Sequence, residues 1–178
     1  MLKITLINPP QFSGYPQPPV GLALIAAVLE REGYQVKLLD ANVLNIKPED
    51  IIPLITDADV VGLTAMTPTI STAIGIARLL KKANPALTII LGGAHATLLP
   101  EETLATSPAI DVIVRGEGEE TIIELLRAFE ENQPLGSIPG ICFRDDGQIV
   151  SSASRSPITD IDSLLFPAYQ LLPLHSYK

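Results

Sequence analysis

The stretch Val60-Val61-Gly62-Leu63-Thr64-Ala65-Met66-Thr67-Pro68-Thr69 decides the fold. Its first five residues are apolar or β-branched and carry no charge, the pattern of a strand. Thr67 and Thr69 then supply capping hydroxyls around Pro68, a residue suited to the first turn of a helix. The apolar periodicity of residues 70–83 continues that helix. A short apolar strand running straight into a helix is the repeating unit of a parallel sheet.

The same rhythm recurs on both sides. Strands are predicted at residues 3–8, 35–40, 60–64, 88–92 and 111–114, and helices at 20–32, 48–55, 70–83, 100–107 and 119–132. The helix over 20–32 follows Pro18-Pro19, stops at Gly33 and is apolar nearly all round, which implies contact on several sides. The helix over 119–132 opens with Glu119 and Glu120, where negative charge complements the helix dipole, and carries Ile122, Ile123, Leu125, Leu126 and Phe129 as an apolar face. These alternating units predict an α/β fold: a flavodoxin-like (Rossmann-like) open parallel sheet of five strands in the order 2-1-3-4-5.

From Gln133 the texture changes. Pro134, Gly136, Pro139 and Gly140 break the helical pattern, and Asp145-Asp146-Gly147 separates two short strand-like runs, 141–144 and 148–151, as in a hairpin. Residues 152–178 have little periodicity and contain Pro157, Pro167 and Pro173, so they are expected either to wrap the domain or to lead onward. The expected division is an α/β domain over residues 1–133 followed by a hairpin and linker over 134–178.

With 178 residues, 47% of them apolar and 18% charged, the chain can bury one full core. Twelve Lys and Arg against 20 Asp and Glu leave a net charge of −8 with no basic block, which argues against nucleic acid. The longest apolar run, Val20 to Leu29, is ten residues, where a membrane span needs roughly 18. No apolar signal segment precedes the first strand, so a cytoplasmic location is expected. Cys142 is the single cysteine, which excludes a disulfide framework and a cysteine-rich metal or iron–sulfur site within this sequence.

In open α/β sheets ligands bind beyond the carboxyl ends of the strands, and four such ends carry unusual residues. The first is Asn8-Pro9-Pro10, opening a proline-stiffened loop through Gln11-Phe12-Ser13-Gly14 to Pro18-Pro19, which is either a clamp for a large flat ligand or a rigid connection. The second is Thr64 to Thr69, whose hydroxyls either meet a ligand or cap the next helix. The third is Gly92-Gly93-Ala94-His95, where paired glycines either admit a ligand to the backbone or make a turn, and His95 is either a ligand-facing group or a surface residue. The fourth is Arg115-Gly116-Glu117-Gly118, whose charged pair either meet each other or bind polar groups of a ligand. Walker A, Gly-x-Ser-x-Gly, His-Glu-x-x-His and a dinucleotide Gly-x-Gly-x-x-Gly after the first strand are all missing, and no nucleophile is paired with a base. The pattern suits a binding domain better than a complete enzyme.

Several pieces, in this order and spacing, resemble a known family. They are Leu6-Ile7-Asn8-Pro9-Pro10, Pro19-Val20-Gly21-Leu22, Val61-Gly62-Leu63-Thr64, Gly92-Gly93-Ala94-His95-Ala96-Thr97, Pro100-Glu101-Glu102 and Val114-Arg115-Gly116-Glu117-Gly118-Glu119. The resemblance is to the N-terminal cobalamin-binding domain of radical S-adenosylmethionine (SAM) enzymes, including the anaerobic magnesium-protoporphyrin monomethyl ester oxidative cyclase group. It implies that cobalamin binds with its nucleotide tail in the groove of the sheet over Gly92 and Gly93. The implied contacts are Asn8, Pro9, Pro10, Thr64, Met66, Thr67, Gly92, Gly93, His95, Arg115, Gly116 and Glu117, with no catalytic residue and no metal ligand assigned among them. Better-known cobalamin domains carry Asp-x-His-x-x-Gly after the first strand; the corresponding loop here, Asn8 to Gly14, has no histidine, and His95 is expected to hydrogen-bond near the corrin or its tail.

The resemblance also implies a radical SAM domain after Leu165-Phe166-Pro167-Ala168-Tyr169, where Cys-x3-Cys-x2-Cys would hold a [4Fe–4S] cluster and SAM. The sequence ends at Lys178 without those cysteines, as an excised domain would. Its role would be to position the corrinoid for methyl transfer or radical oxidative cyclisation. Two other readings remain beside it: a flavodoxin-like partner-binding or receiver-type module without corrinoid, whose phospho-receiver form needs an acidic cluster at the first strand where Asn8-Pro9-Pro10 stands instead, and a small flavin or nucleotide enzyme, which needs the phosphate loop that is missing.

Overall fold

The fold is taken from a computed structural model, which describes residues 1–11 and 15–177. Strands β1 (Lys3–Asn8), β2 (Gln35–Asp40), β3 (Val60–Thr64), β4 (Thr88–Gly92) and β5 (Val112–Val114) run parallel in the order β2-β1-β3-β4-β5. The sheet does not stop at the five strands expected. Strands β6 (Ile141–Asp145) and β7 (Gln148–Ser151) join antiparallel beyond β5, giving seven in all. Asp146 and Gly147 both take positive φ, as a tight hairpin turn between twisted strands requires. Ile141, Cys142 and Phe143 are buried against β5, so the hairpin covers an edge that five strands alone would leave open.

The helices are α1 (Val20–Arg31), α2 (Ile70–Ala83), α3 (Ala94–Leu98), α4 (Pro100–Thr106) and α5 (Glu119–Glu131). The helix expected over 48–55 is instead two 3-10 turns, Pro48–Asp50 and Ile52–Leu54. Pro53 lies inside that segment, where its missing N–H and its ring forbid a continuous α-helix. Strand periodicity divides the core into two layers. Leu6, Ile90, Val112 and Val114 face α1 and α5 with Leu22, Ala26, Ile122 and Leu125. Ile7, Leu63, Ile89, Leu91 and Ile113 face α2 and α4 with Ile76, Leu80 and Leu104.

Residues 152–177 wrap the domain as a strap over the α1 and α5 side. Arg155 meets Thr121 at 2.7 Å, Glu120 at 2.9 Å and Glu124 at 2.5 Å on α5. The Ala168 amide then donates to the Ala23 carbonyl on α1 at 2.9 Å, Gln170 donates to Glu30 at 2.9 Å, and Ala168 and Leu172 are buried. The strap ends at β2, where the Tyr177 hydroxyl donates to Asp40 at 2.5 Å. Among the described residues, no helix is long and apolar enough to cross a membrane.

Candidate functional site

A cleft of about 520 Å³ opens at the carboxyl ends of β1, β3, β4 and β5 and enters the layer between the sheet and helices α1 and α5. Its floor is a row across the sheet, Leu6, Gly62 and Ile90, which are direct register partners. Leu22 and Ile25 of α1 and Ile122 of α5 form the opposite wall. Gly62 makes this space: a Cβ there would lie 2.7 Å from Leu6 Cδ2, and any longer side chain would project into the cleft. Protein interiors rarely tolerate voids larger than a water molecule. An apolar cleft of this size between a sheet and its covering helices is therefore the candidate ligand site.

Where β3 and β4 end, the rim is built from closely approaching backbone. Gly93 has φ +94°, and a Cβ on it would come within 2.6 Å of the Ala65 carbonyl oxygen, so only glycine fits. That close approach lets the Ala65 amide donate to the Gly92 carbonyl at 3.0 Å and the His95 amide to the Ala65 carbonyl at 3.2 Å. Thr97 ties the next loop in, its hydroxyl donating to the Gly93 carbonyl and accepting from the Gly116 amide at 2.9 Å. Thr69 caps the start of α2's leading turn by accepting from the Met66 amide at 3.0 Å, as its position after Pro68 suggests.

The residues expected at the site divide into two groups. Asn8, Thr64, Met66, Gly92, Gly93, Gly116 and Glu117 line the cleft. Pro9, Pro10, Thr67, His95 and Arg115 are not part of its lining. His95 Nδ1 lies 3.2 Å from the Thr67 hydroxyl, so these two meet each other beside the rim. Arg115 and Glu117 do not pair: Arg115 donates to the Ser152 carbonyl at 2.6 Å, and Glu117 accepts from the Ile158 amide at 2.6 Å, both on the strap. Phe12, Ser13 and Gly14, in the loop considered as a clamp, lie outside the described residues, while Pro18 and Pro19 at its end line the cleft.

Sequence reasoning missed the inner wall, Leu6, Leu22, Ile25, Ile90 and Ile122, and also Gly118 and Glu119. A glycine at the centre of an otherwise bulky strand was the available signal. Glu119 is the most informative of the group, because its Oε2 is buried without a hydrogen-bond partner in a wall of apolar groups. Such an orphaned acceptor is costly unless a ligand completes it. No group of three or more His, Cys, Asp or Glu side chains able to hold a metal ion occurs among the described residues.

Residues 13–126 match the family model described as the B12 binding domain. The chain is 36% identical, over its whole length, to an uncharacterised methyltransferase of Pyrococcus horikoshii, of which it spans 40%. Over 99% of its length it is 31% identical to the anaerobic magnesium-protoporphyrin IX monomethyl ester cyclase of Rubrivivax gelatinosus, spanning 34% of that protein. Its fold matches that of OxsB, a cobalamin-dependent S-adenosylmethionine radical enzyme solved with aqua-cobalamin bound, with a TM-score of 0.83 and 21% identity over 97% of this chain and 25% of that one. The chain thus spans well under half the length of each of these three proteins.

Proposed function

The chain belongs to the B12-binding domain family, and we propose that it holds cobalamin as the N-terminal part of a longer radical SAM enzyme. The observation that carries this reading is the glycine-floored apolar cleft between the sheet and one helix layer, closed below by Leu6 and open at the strand ends. The residues present fit the group. Leu6, Gly62, Ile25 and Ile122 would take the flat apolar portion of its nucleotide tail, and Glu119 Oε2 would gain the donor it lacks. The Asn8 amide, the Thr64 hydroxyl and the backbone around Gly92, Gly93 and Gly116 would meet polar groups at the rim. Met66, 53% exposed there, would add apolar contact. Pro9, Pro10, Thr67 and His95 would flank the rim from outside, and Glu117 would border it while anchoring the strap. Arg115 would act at one remove, by holding the strap.

Bound cobalamin supplies a cobalt centre that can carry a methyl group or take part in a radical oxidation. This chain's share is to bind the cofactor, orient it and keep water from its buried portion. A [4Fe–4S] cluster and SAM would belong to a radical SAM domain downstream, and the reaction would be methyl transfer or oxidative cyclisation in the cytoplasm. The loop after β1 contains no histidine, so it offers cobalt no imidazole.

The test is to incubate the purified protein with hydroxocobalamin, remove free cofactor by gel filtration and record the visible spectrum of the protein peak. Stoichiometric retention without nitrogen coordination below cobalt is expected. Nitrogen coordination that disappears in H95A would move His95 from the rim to the metal. Absence of retention by the full-length protein would sink the cobalamin role and favour a partner-binding module.

A further inference from the structure

Asp40 is fully buried at the end of β2, and four donors converge on its carboxylate. Oδ1 accepts from the Asn8 side-chain amide at 2.9 Å and from the backbone amides of Asn42 at 3.0 Å and Val43 at 3.2 Å. Oδ2 accepts from the Tyr177 hydroxyl at 2.5 Å. A buried carboxylate needs such donors, because water no longer solvates it. The phenol is held in the same arrangement: burial first, and then the hydrogen bond to Asp40, push its pKa well above the usual tyrosine range.

The consequence falls on Asn8, which lines the cleft. A carboxylate only accepts, so the amide must turn its NH2 toward Asp40. Its Oδ1 is then left over, and no described residue donates to it. We propose that Asp40, clasped by Tyr177 at the end of the strap, fixes the Asn8 amide so that the cleft presents a hydrogen-bond acceptor to an N–H donor of the ligand, and thereby links docking of the strap to ligand affinity. The donor class that fits is a carboxamide, and corrinoids carry such groups around the ring. Asn8 is the residue in contact with the ligand; Asp40 and Tyr177 are positioning residues that act through it.

The inference rests on the cobalamin reading, and the test separates the two. Hydroxocobalamin is titrated into wild type, N8A, Y177F, the double variant N8A/Y177F and Q170A, with bound cofactor read by equilibrium dialysis. Y177F and N8A should each weaken binding roughly threefold to tenfold, the range of one net hydrogen bond. The double variant should bind no more weakly than N8A, because both changes interrupt one route. Q170A, which loosens the strap at Glu30 instead, should bind as wild type does. By reciprocity, cofactor should slow proteolysis of the strap in wild type and not in N8A.

Wild-type binding with an unchanged Y177F, or with losses that multiply in the double variant, would overturn the link while leaving the cobalamin role intact. Equal weakening in Q170A would reduce the clasp to general support of the strap and overturn it as well. Failure of the wild-type protein itself to bind would instead remove the reading beneath both. Near-ultraviolet circular dichroism of each variant confirms that lost binding is not lost folding.

Discussion

The two faces of the sheet are made of similar residues and packed to different ends. Among the described residues, ten of the twelve largest fully buried side chains, including Ile7, Ile76, Leu80, Ile89, Leu91 and Ile113, belong to the face covered by α2 and α4. Only Leu6 and Leu29 belong to the face covered by α1 and α5, where the cleft lies. The first face is closed by its own side chains. The second is held at a distance from the sheet near the strand ends, and is secured from outside by the strap. Strand periodicity thus separates a closed face from an open one: Val61 packs into the closed face, and Gly62 opens on the cleft.

The sharpest way to break this contrast is to truncate one residue on each face. Ile89 has no exposed surface and packs among Leu63, Leu80 and Leu104. I89A should cost about 2–5 kcal/mol, the range for a large-to-small change in a closed core. For a chain of this length each kcal/mol lowers Tm by roughly 2–4 °C. Ile25 already borders a void, so I25A removes fewer contacts and should cost less than half as much. Equal losses of Tm in the two variants would mean that the cleft face is as closed as the other.

A gain of volume should discriminate in the opposite sense. In G62V the new methyls must enter the cleft or displace Leu6, whose Cδ2 is the flexible end of a side chain and can move. Cobalamin retention is expected to fall by at least about tenfold, a loss of roughly 1.4 kcal/mol or more, with Tm changed by no more than a few degrees. A variant that keeps its cofactor would place the ligand elsewhere on the rim. A variant that unfolds would make Gly62 a structural requirement rather than a space for ligand.

Much of this architecture is legible in the amino-acid sequence. Residues 3–8, 35–40, 60–64 and 88–92 form the strands expected of them, and 70–83 the helix, because short apolar runs there are bounded by Pro, Gly or capping hydroxyls. Half of the candidate cleft's lining was also legible, since strand order alone brings Asn8, Thr64, Gly92 and Gly116 to one edge. The inner wall was not, because Leu6, Ile25 and Ile122 carry the same apolar pattern as the closed core, and the one trace of the space between them was Gly62 within an otherwise bulky strand. Arg115 was read as facing a ligand, but its guanidinium donates to backbone carbonyls of the strap, whose course lacks any periodicity that would betray it. The hairpin was expected as an appendage and became part of the sheet because β5 had a free edge to offer.

The strap's own contribution is smaller than either face's. Arg155 is nearly buried at its side chain, yet its partners Glu120 and Glu124 are 62% and 43% exposed, so solvent screens much of each attraction. R155A should cost about 1 kcal/mol, chiefly through the Thr121 hydrogen bond and lost packing over α5. Hydrogen exchange should quicken first in residues 152–160 and not in β6. Exchange that quickens across β6 and β7 together would show the strap and hairpin to be one cooperative unit.

The smallest effect emerges only in alkali, and it tests the foot of the cleft face, away from the ligand. Tyr34 is buried where α1 leads into β2, and its hydroxyl donates to Glu130 of α5 at 3.1 Å. Burial, then that hydrogen bond and the negative charge of Glu130, push the phenol pKa from 10.0 up to about 12. The unfolded chain therefore releases this proton near pH 10 while the folded chain keeps it to about 12. The stabilising contribution is complete below pH 10 and is lost as pH rises through that window. Y34F has no proton to release and should lose less stability than wild type between pH 10 and 12, while its difference from wild type below pH 10 stays constant. Parallel denaturation midpoints for the two proteins throughout that window would mean that α1 and α5 part at their feet in alkali before the phenol ionises. In that case this face would be loosely held at both ends and not only where the ligand enters.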